Sequence, residues 1–364
     1  KGDMWFNSQW DSTGGAKTEV IVDDVVVWTA PVKIGTTKYG TLQAAINAVQ
    51  NGETITLLSD ITENVTLTEK VGLYYTINGS DKTMNGKITV TPLSDTNDNR
   101  RITISNINFV EETDANVDFI SAVNTNHYPR LTISGCDFTG SGNDGDVAIR
   151  LKSSHSVVIE DCTGIGLHSF LQNTSGWNLT INNVTVTESK GGLALGTVQG
   201  VTVKDSNIDV NGYGIRLDAQ YDNNAVIESN VVEAFIPVVV RKAEVVSSIT
   251  FSGTNTMTAT NEDGLWCAIG TSEYETNGTM PTAPTGQVTV TLNDTGLSMD
   301  GVYGEHFALN GEGTAESPYL INNLYELKGF RDQVNTGNTY AGKYIKLTAD
   351  INLNNEEWTP IGKN

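Results

Sequence analysis

Positive charge is scarce in this chain. It carries 22 Lys and Arg against 43 Asp and Glu, a formal charge of −21. That deficit argues against nucleic acid and anionic membrane as partners, because both need a cationic footprint. It also repels polyanionic sugars unless a metal bridges them. Three cysteines make no disulfide framework and say little about redox compartment. No apolar run is long enough to span a bilayer, so membrane insertion is not expected. No signal peptide opens the sequence, which starts at Lys1. Prolines number only eight, and the four histidines, His127, His155, His168 and His306, show no metal-ligand spacing. What is present is a 38% hydrophobic share in 364 residues, enough for a real core in two or three domains.

That hydrophobic share is arranged as a repeat. "RITISN" (101–106), "RLTISG" (130–135), "VVIED" (157–161), "NLTINN" (178–183), "GVTVKD" (200–205), "NAVIES" (224–229) and "SITFSG" (248–253) share one pattern. Aliphatic residues fill one column (Ile102, Leu131, Val157, Leu179, Val201, Ala225, Ile249), and the next but one holds Ile104, Ile133, Ile159, Ile181, Val203, Ile227 and Phe251. This period-2 alternation predicts strands with one buried face. Each strand is followed by Asn106, Gly135, Asp161, Asn183, Asp205, Ser229 or Gly253, all tolerant of left-handed backbone. The second column recurs every 22 to 29 residues. That is too short for a strand–helix–strand crossover and suits a coil of two or three short strands. Second strands read "INF", "CDF" and "VTV". Third strands read "VAIRL" (147–151), "GLAL" (192–195), "GIRLD" (214–218) and "PVVVR" (237–241). Coils stacked about 4.8 Å apart give an all-β fold, a right-handed parallel β-helix, which is a solenoid.

A solenoid has open ends, which invite edge-to-edge association. "TLQAAINAVQNGETITLLSDI" (41–61) predicts an N-terminal capping helix. Thr41 is its N-cap, Gly52 its stop, and Leu42, Ala45, Ile46 and Val49 its apolar face. "NLYELKGFRDQVNTGNTYAGKYIKLTADI" (323–351) repeats that plan, with Leu324, Leu327 and Val334 as the stripe and "YIKLTADINL" as the following strand. The expected domains are a β-hairpin segment over 1–35, the β-helix over 36–303, and a second cap helix with one coil over 304–364. The alternative for the last is a C-terminal cap docked on the first tube. Within 1–35, "TEVIVDDVVVW" predicts two strands joined at Asp23–Asp24. A second opening with so little after it suggests a monomeric module of a longer protein.

"YGTLQAAINAVQNGETITLLSDI" resembles the opening of pectate-lyase-like right-handed β-helix modules in large surface proteins of gut bacteria. "GEGTAESPYLINNLYELKGFRDQVNTGNTYAGKYIKLTADINLNNEEWTPIG" (311–362) resembles the segment preceding GLUG-type repeats in such proteins, although the repeats themselves are absent. The resemblance implies secretion, surface attachment and a role in adhesion or glycan contact. Enzymes of this shape act on polysaccharides at the outer face of one sheet. "VAIRLKS" (147–153) resembles the Arg-x-Lys element of polygalacturonases, which implies substrate binding by Arg150 and Lys152. That family's paired aspartates and Gly-His-Gly segment are missing upstream, and the "GLHS" at His168 comes after.

Asp161 and Asp205 share a column, but that column wants turn-formers. Arg216 and Arg241 join Arg150 as cations of a shallow binding face. Asp218 aligns with Arg241, and Lys204 with Glu228, as surface ion pairs. Cys136 and Cys162 hold one inward slot in successive coils and suit a buried small-residue ladder better than a bond. Trp177, Tyr213 and Tyr221 could stack on sugars, with burial the commoner fate of such rings. No catalytic set, cofactor or metal site is expected. Structural calcium is the one ion weighed, for "DTNDNR" (95–100) and "GNDGDV" (142–147). The first places Arg100 and Asn106 where a calcium loop has Gly and Glu.

These observations point to a non-catalytic secreted or cell-surface module, presenting a binding face for glycan or host protein on loops 109–128 and 139–146. A β-helical polysaccharide lyase or hydrolase and a phage tailspike-like fibre are the alternatives.

Overall fold

A computed structural model describes residues 19–22, 25–93, 101–110, 116–123, 129–142, 145–218, 224–241, 247–261, 264–270, 288–294, 296–298, 301–303, 307–309, 311–322, 324–335, 339–353 and 358–362. They form a parallel β-solenoid of about nine turns. They fall into two compact units. One runs to Gly176 and includes Asn183–Ser189; the other holds Trp177–Asn182 and everything from Lys190 onward.

In the first unit the aliphatic columns stack in register. Ile55 pairs with Ile77, Ile77 with Ile104, Ile104 with Ile133, and Ile133 with Ile159. All five side chains are fully buried. Each such burial contributes about 1.5–3 kcal/mol, and a β-branched chain packs well on a pleated surface. The third strands build a second ladder, Val65–Ile88–Ile120–Ile149–Leu171. The second-strand ladder is Met84–Phe109–Phe138–Gly164–Val186. Phe109 and Phe138 stack with centroids 5.0 Å apart. A Cβ on Gly164 would lie 2.6 Å from the Phe170 ring, so this coil can carry no side chain there.

The second unit repeats the design. Val203, Ile227, Phe251 and Leu292 align in one ladder, and Leu195, Leu217, Val240 and Ile269 in another. Parallel pairing passes residue 303: Phe307–Ala308 pairs with Val288–Leu292.

The turn column behaves as its chemistry demands. Asn106, Gly135, Asp161, Asn183, Asp205, Ser229 and Gly253 all have φ between 51° and 70°. Only residues that tolerate left-handed backbone fit there.

Ahead of the first coil, Val32–Ile34 and Thr37–Tyr39 form an antiparallel hairpin, and Val32–Ile34 also pairs antiparallel with Thr54–Leu57. Upstream, Glu19–Val22 and Val25–Thr29 pair antiparallel as the sequence implied. Helix α1 is Leu42–Ala48, with Leu42, Ala45 and Ile46 buried and the Ala44 amide donating to Thr41 Oγ1. It stops at a Val49 C-cap, short of the expected Gly52, because Val49 turns to extended ψ. Gly52 serves the following turn instead, at φ 80°.

The second opening does not copy the first. Helix α2, Leu324–Asn335, sits between Tyr319–Ile321 and Ile345–Leu347, which pair parallel. Its packed residues are Leu327 and Phe330, against Leu309, Ile321, Tyr340 and Ile351, with Val334 only half-buried. The side chain of Leu324 lies outside the described residues. α2 also packs against Phe307–Ala308 in the same unit. The predicted strand "YIKLTADINL" shortens to Ile345–Leu347, since Leu347 is 55% exposed where its counterpart Leu57 is buried under the next coil.

Candidate functional site

The third-strand faces hold most of the residues singled out by sequence. Arg150 lies on Val147–Leu151, where Val147, Ile149 and Leu151 point inward and Arg150 outward. Its Nε meets Asp118 Oδ1 at 2.7 Å, and Nη1 also donates to Gln172 Oε1. Both partners stand on neighbouring coils, so Arg150 zips three coils together. Lys152 is exposed, and its backbone amide donates to the Ala122 carbonyl at 3.1 Å.

In the second unit, Arg241 and Asp218 align across adjacent coils. They form a two-pronged pair at 2.5 and 2.7 Å, with side chains only 11% and 14% exposed. This corrects the expectation of a surface pair. Val239, Ala268 and Ile236 pack as an apolar cluster with Ala194 and Tyr213. Arg216 stands 3.6 Å from the same carboxylate, and its guanidinium lies 5.0 Å from the Tyr213 ring centroid. Tyr213 is buried in that cluster, which removes it as a stacking platform. Trp177, a candidate stacking ring, is 37% exposed. Tyr221 lies outside the described residues, as does the calcium candidate over 95–100. Among the described residues no three His, Cys, Asp or Glu side chains gather as metal ligands.

Asp161 is a turn residue in fact: its Oδ1 accepts from Asn183 Nδ2 at 2.7 Å, and its φ is 54°. Lys204 and Glu228 align across strands. Cys136 and Cys162 are buried free thiols. Their mutual hydrogen bond and their burial hold the Cys162 thiol protonated well above its ordinary range.

Sequence reasoning missed two carboxylate-centred networks. Asp146 is fully buried at the end of the 139–146 loop. Its Oδ1 accepts the Val117 amide at 3.0 Å, and its Oδ2 accepts the Ser141 amide at 2.8 Å and the Ser141 hydroxyl at 2.6 Å. One side chain therefore joins Val117 to Ser141. The expected 109–128 loop is interrupted by a strand, Asp118–Ala122, because Phe119, Ile120 and Ala122 are buried in the third-strand ladder. In the second unit, Ser206, Asn230, Asn255 and Asp294 form a buried polar ladder. Asn230 Oδ1 accepts the Ser206 amide at 3.0 Å, Asn255 Oδ1 the Asn230 amide at 2.9 Å, and Asp294 Oδ2 the Asn255 amide at 2.6 Å. The signal was a polar residue recurring just after the turn column, and composition hid it in a chain rich in Asn.

Residues 118–277 match a family model described as a right-handed β-helix region. The fold is a right-handed parallel β-helix. No curated protein and no solved structure matches the chain. On this β-helix, Arg150 and Arg241 are committed to pairs between coils.

Proposed function

We propose that this β-helix is a non-catalytic module of a secreted or cell-surface protein, presenting a binding face for glycan or host protein. The observation that carries this reading is the Asp146 network, which anchors Val117 and Ser141, in the segments 109–128 and 139–146, to one buried carboxylate of a stacked tube. Loops held by buried hydrogen bonds lose little entropy on binding, and binding function concentrates on loops of rigid scaffolds. The ion pairs of Arg150 and Arg241 support the same reading, because they spend these side chains on coil stacking. The resemblance of the opening segment to bacterial surface modules agrees with an extracellular setting.

The test is a glycan and host-protein array, with parallel incubation on acidic and neutral polysaccharides with and without calcium. Binding without new reducing ends or unsaturated sugars is expected. Product release that disappears in Arg150→Gln would overturn the proposal in favour of a polysaccharide-degrading enzyme.

A further inference from the structure

Two short sheets stand apart from the β-helix, and among the described residues each pairs with nothing else. Glu19–Val22 and Val25–Thr29 pair only with each other. Tyr319–Ile321 and Ile345–Leu347 do the same. A two-stranded sheet is marginal in water, and three or more strands with an apolar face are needed for a sheet to hold by itself.

The free edge of the second sheet can be assigned residue by residue. The Tyr319 amide donates to the Tyr344 carbonyl at 2.8 Å, and the Thr348 amide to the Ile321 carbonyl at 2.9 Å. Alternate residues of a parallel strand bond to the same neighbour, so Tyr344, Lys346 and Thr348 spend their backbone groups on Tyr319–Ile321. The amides and carbonyls of Ile345 and Leu347 face the opposite edge, where no described strand pairs. Side chains are open there too. Tyr344 is 58% exposed and Leu347 55%.

The first opening of the chain shows what such an edge accepts. "ITLLSDI" (55–61) and "IKLTADI" (345–351) share the motif I-x-L-x-x-D-I. Thr54–Leu57 has a strand on each side, Val32–Ile34 antiparallel and Tyr74–Asn85 parallel. Ile55 and Leu57 are buried there. Ile345–Leu347 has one neighbour, and the missing element is one more apolar strand about 4.8 Å away.

Pattern and charge select the occupant. Seven of the eleven residues in "EVIVDDVVVWT" (19–29) are aliphatic or aromatic, six of them β-branched, which suits a sheet. The same segment holds Glu19, Asp23 and Asp24 and no Lys or Arg, whereas Lys343 and Lys346 belong to the free edge. Two such edges facing each other would oppose lysines, and two such hairpins would oppose acids. Like charges across strands repel. Hairpin against lysine edge is the combination that both sequences favour.

We propose that this chain associates end to end with a second copy. The Glu19–Val22 and Val25–Thr29 hairpin of one copy adds to the free edge of Ile345–Leu347 of the next, by strand addition through the backbone. Two marginal sheets then become one sheet of four strands. The contact is heterologous, so it propagates along a row of copies unless the rotation closes a ring. It goes beyond the binding role proposed above and does not depend on it.

Sedimentation velocity of the full chain over a range of concentrations tests this. Wild type should pass from single copies to species of two, three and more as concentration rises. Leu347→Pro removes an outward amide and keeps the inward pairing, since proline is tolerated where its missing N–H faces an open edge. The double variant Val26→Lys, Val27→Lys puts a cation on each face of the hairpin strand, because successive side chains alternate. Each variant alone should stay a single copy, with the melting temperature of wild type. Mixed, one supplies an intact hairpin and the other an intact edge, so they should form one-to-one pairs and nothing larger. Lys346→Glu, an exposed change that leaves the backbone alone, should weaken wild-type association at least about tenfold by setting like charges against the hairpin. Val71→Ser, at a residue 70% exposed elsewhere, should associate as wild type. The inference is overturned by wild type that stays single at every concentration, by association of either variant alone, by a mixture that forms no pairs, by Lys346→Glu that associates undiminished, or by loss of association in Val71→Ser. Array binding by the single-copy variants leaves the proposed function standing whichever way this falls.

Discussion

Asn255 shows how much a single buried amide can carry in this protein. Its Nδ2 donates to the Ser252 carbonyl at 2.8 Å and to Asp294 Oδ2 at 2.9 Å, while its Oδ1 takes the Asn230 amide. Asn255→Ala would strand several of these groups in a dry column. It should cost about 3 kcal/mol in urea unfolding, with a smaller loss for Asn255→Asp excluded because the donors vanish. The turn column predicts a contrast within one position. Asp161→Asn should leave stability nearly unchanged, and Asp161→Val should lose about 1–2 kcal/mol, since a β-branched residue resists left-handed φ. Arg241→Ala leaves Asp218 without its main partner in a half-dry site. It should destabilise by about 3 kcal/mol, more than the double variant that removes both charges. At this scale the sequence was a good guide to the turn residues, because left-handed backbone filters residue types strictly. It was a poor guide to Tyr213 and Arg241. Their burial depends on which neighbours the coil brings over them, and a strand pattern records only inside and outside.

Elements tell a similar story at larger grain. Strand pattern and spacing were legible, since a solenoid writes its core as columns. The helices were legible in existence but not in role. α1 is tied to the first coil by groups its own sequence does not announce. Glu63, directly after the short strand Ile61–Thr62, accepts the Leu42 and Gln43 amides at 2.8 and 3.1 Å, placing a carboxylate at the helix N-terminus. The Gln43 amide imitates a neighbouring strand, accepting from the Thr66 amide at 2.7 Å and donating to its carbonyl at 3.1 Å. Gln43→Ala should therefore bare the edge of Val65–Thr68. Light scattering should detect concentration-dependent self-association beyond that of wild type. The second opening shares residues with the first yet pairs its strands differently. A hairpin precedes α1 and reverses the chain onto Thr54–Leu57. A single strand precedes α2, leaving parallel pairing as the short route back.

For the molecule as a whole, charge and buried thiols set the response to conditions. A formal charge of −21 makes the folded chain self-repelling. Raising NaCl from about 10 mM to about 150 mM shortens the screening length several-fold. It should lift the melting temperature by a few degrees. Burial pushes the Cys267 thiol from 9.0 up to about 12. Below pH 9 both folded and unfolded chains keep that proton, and the stabilisation is intact. Above it the unfolded chain ionises first, so stability should fall progressively toward pH 12, with a shallower fall in Cys267→Ala. Iodoacetamide at pH 8 should label none of the three buried thiols natively and all three in denaturant. By itself the sequence determined the coil, its period, its inward columns and its turns, because stacking identical units forces local chemistry to repeat. Only the tertiary structure decided which outward residues meet. Arg150 finds Asp118 and Gln172, Arg241 finds Asp218, and Arg101 finds Thr132 across coils separated by 22 to 32 residues in the chain. Lateral contact between coils depends on register and loop length, and those are settled by packing rather than by any one segment.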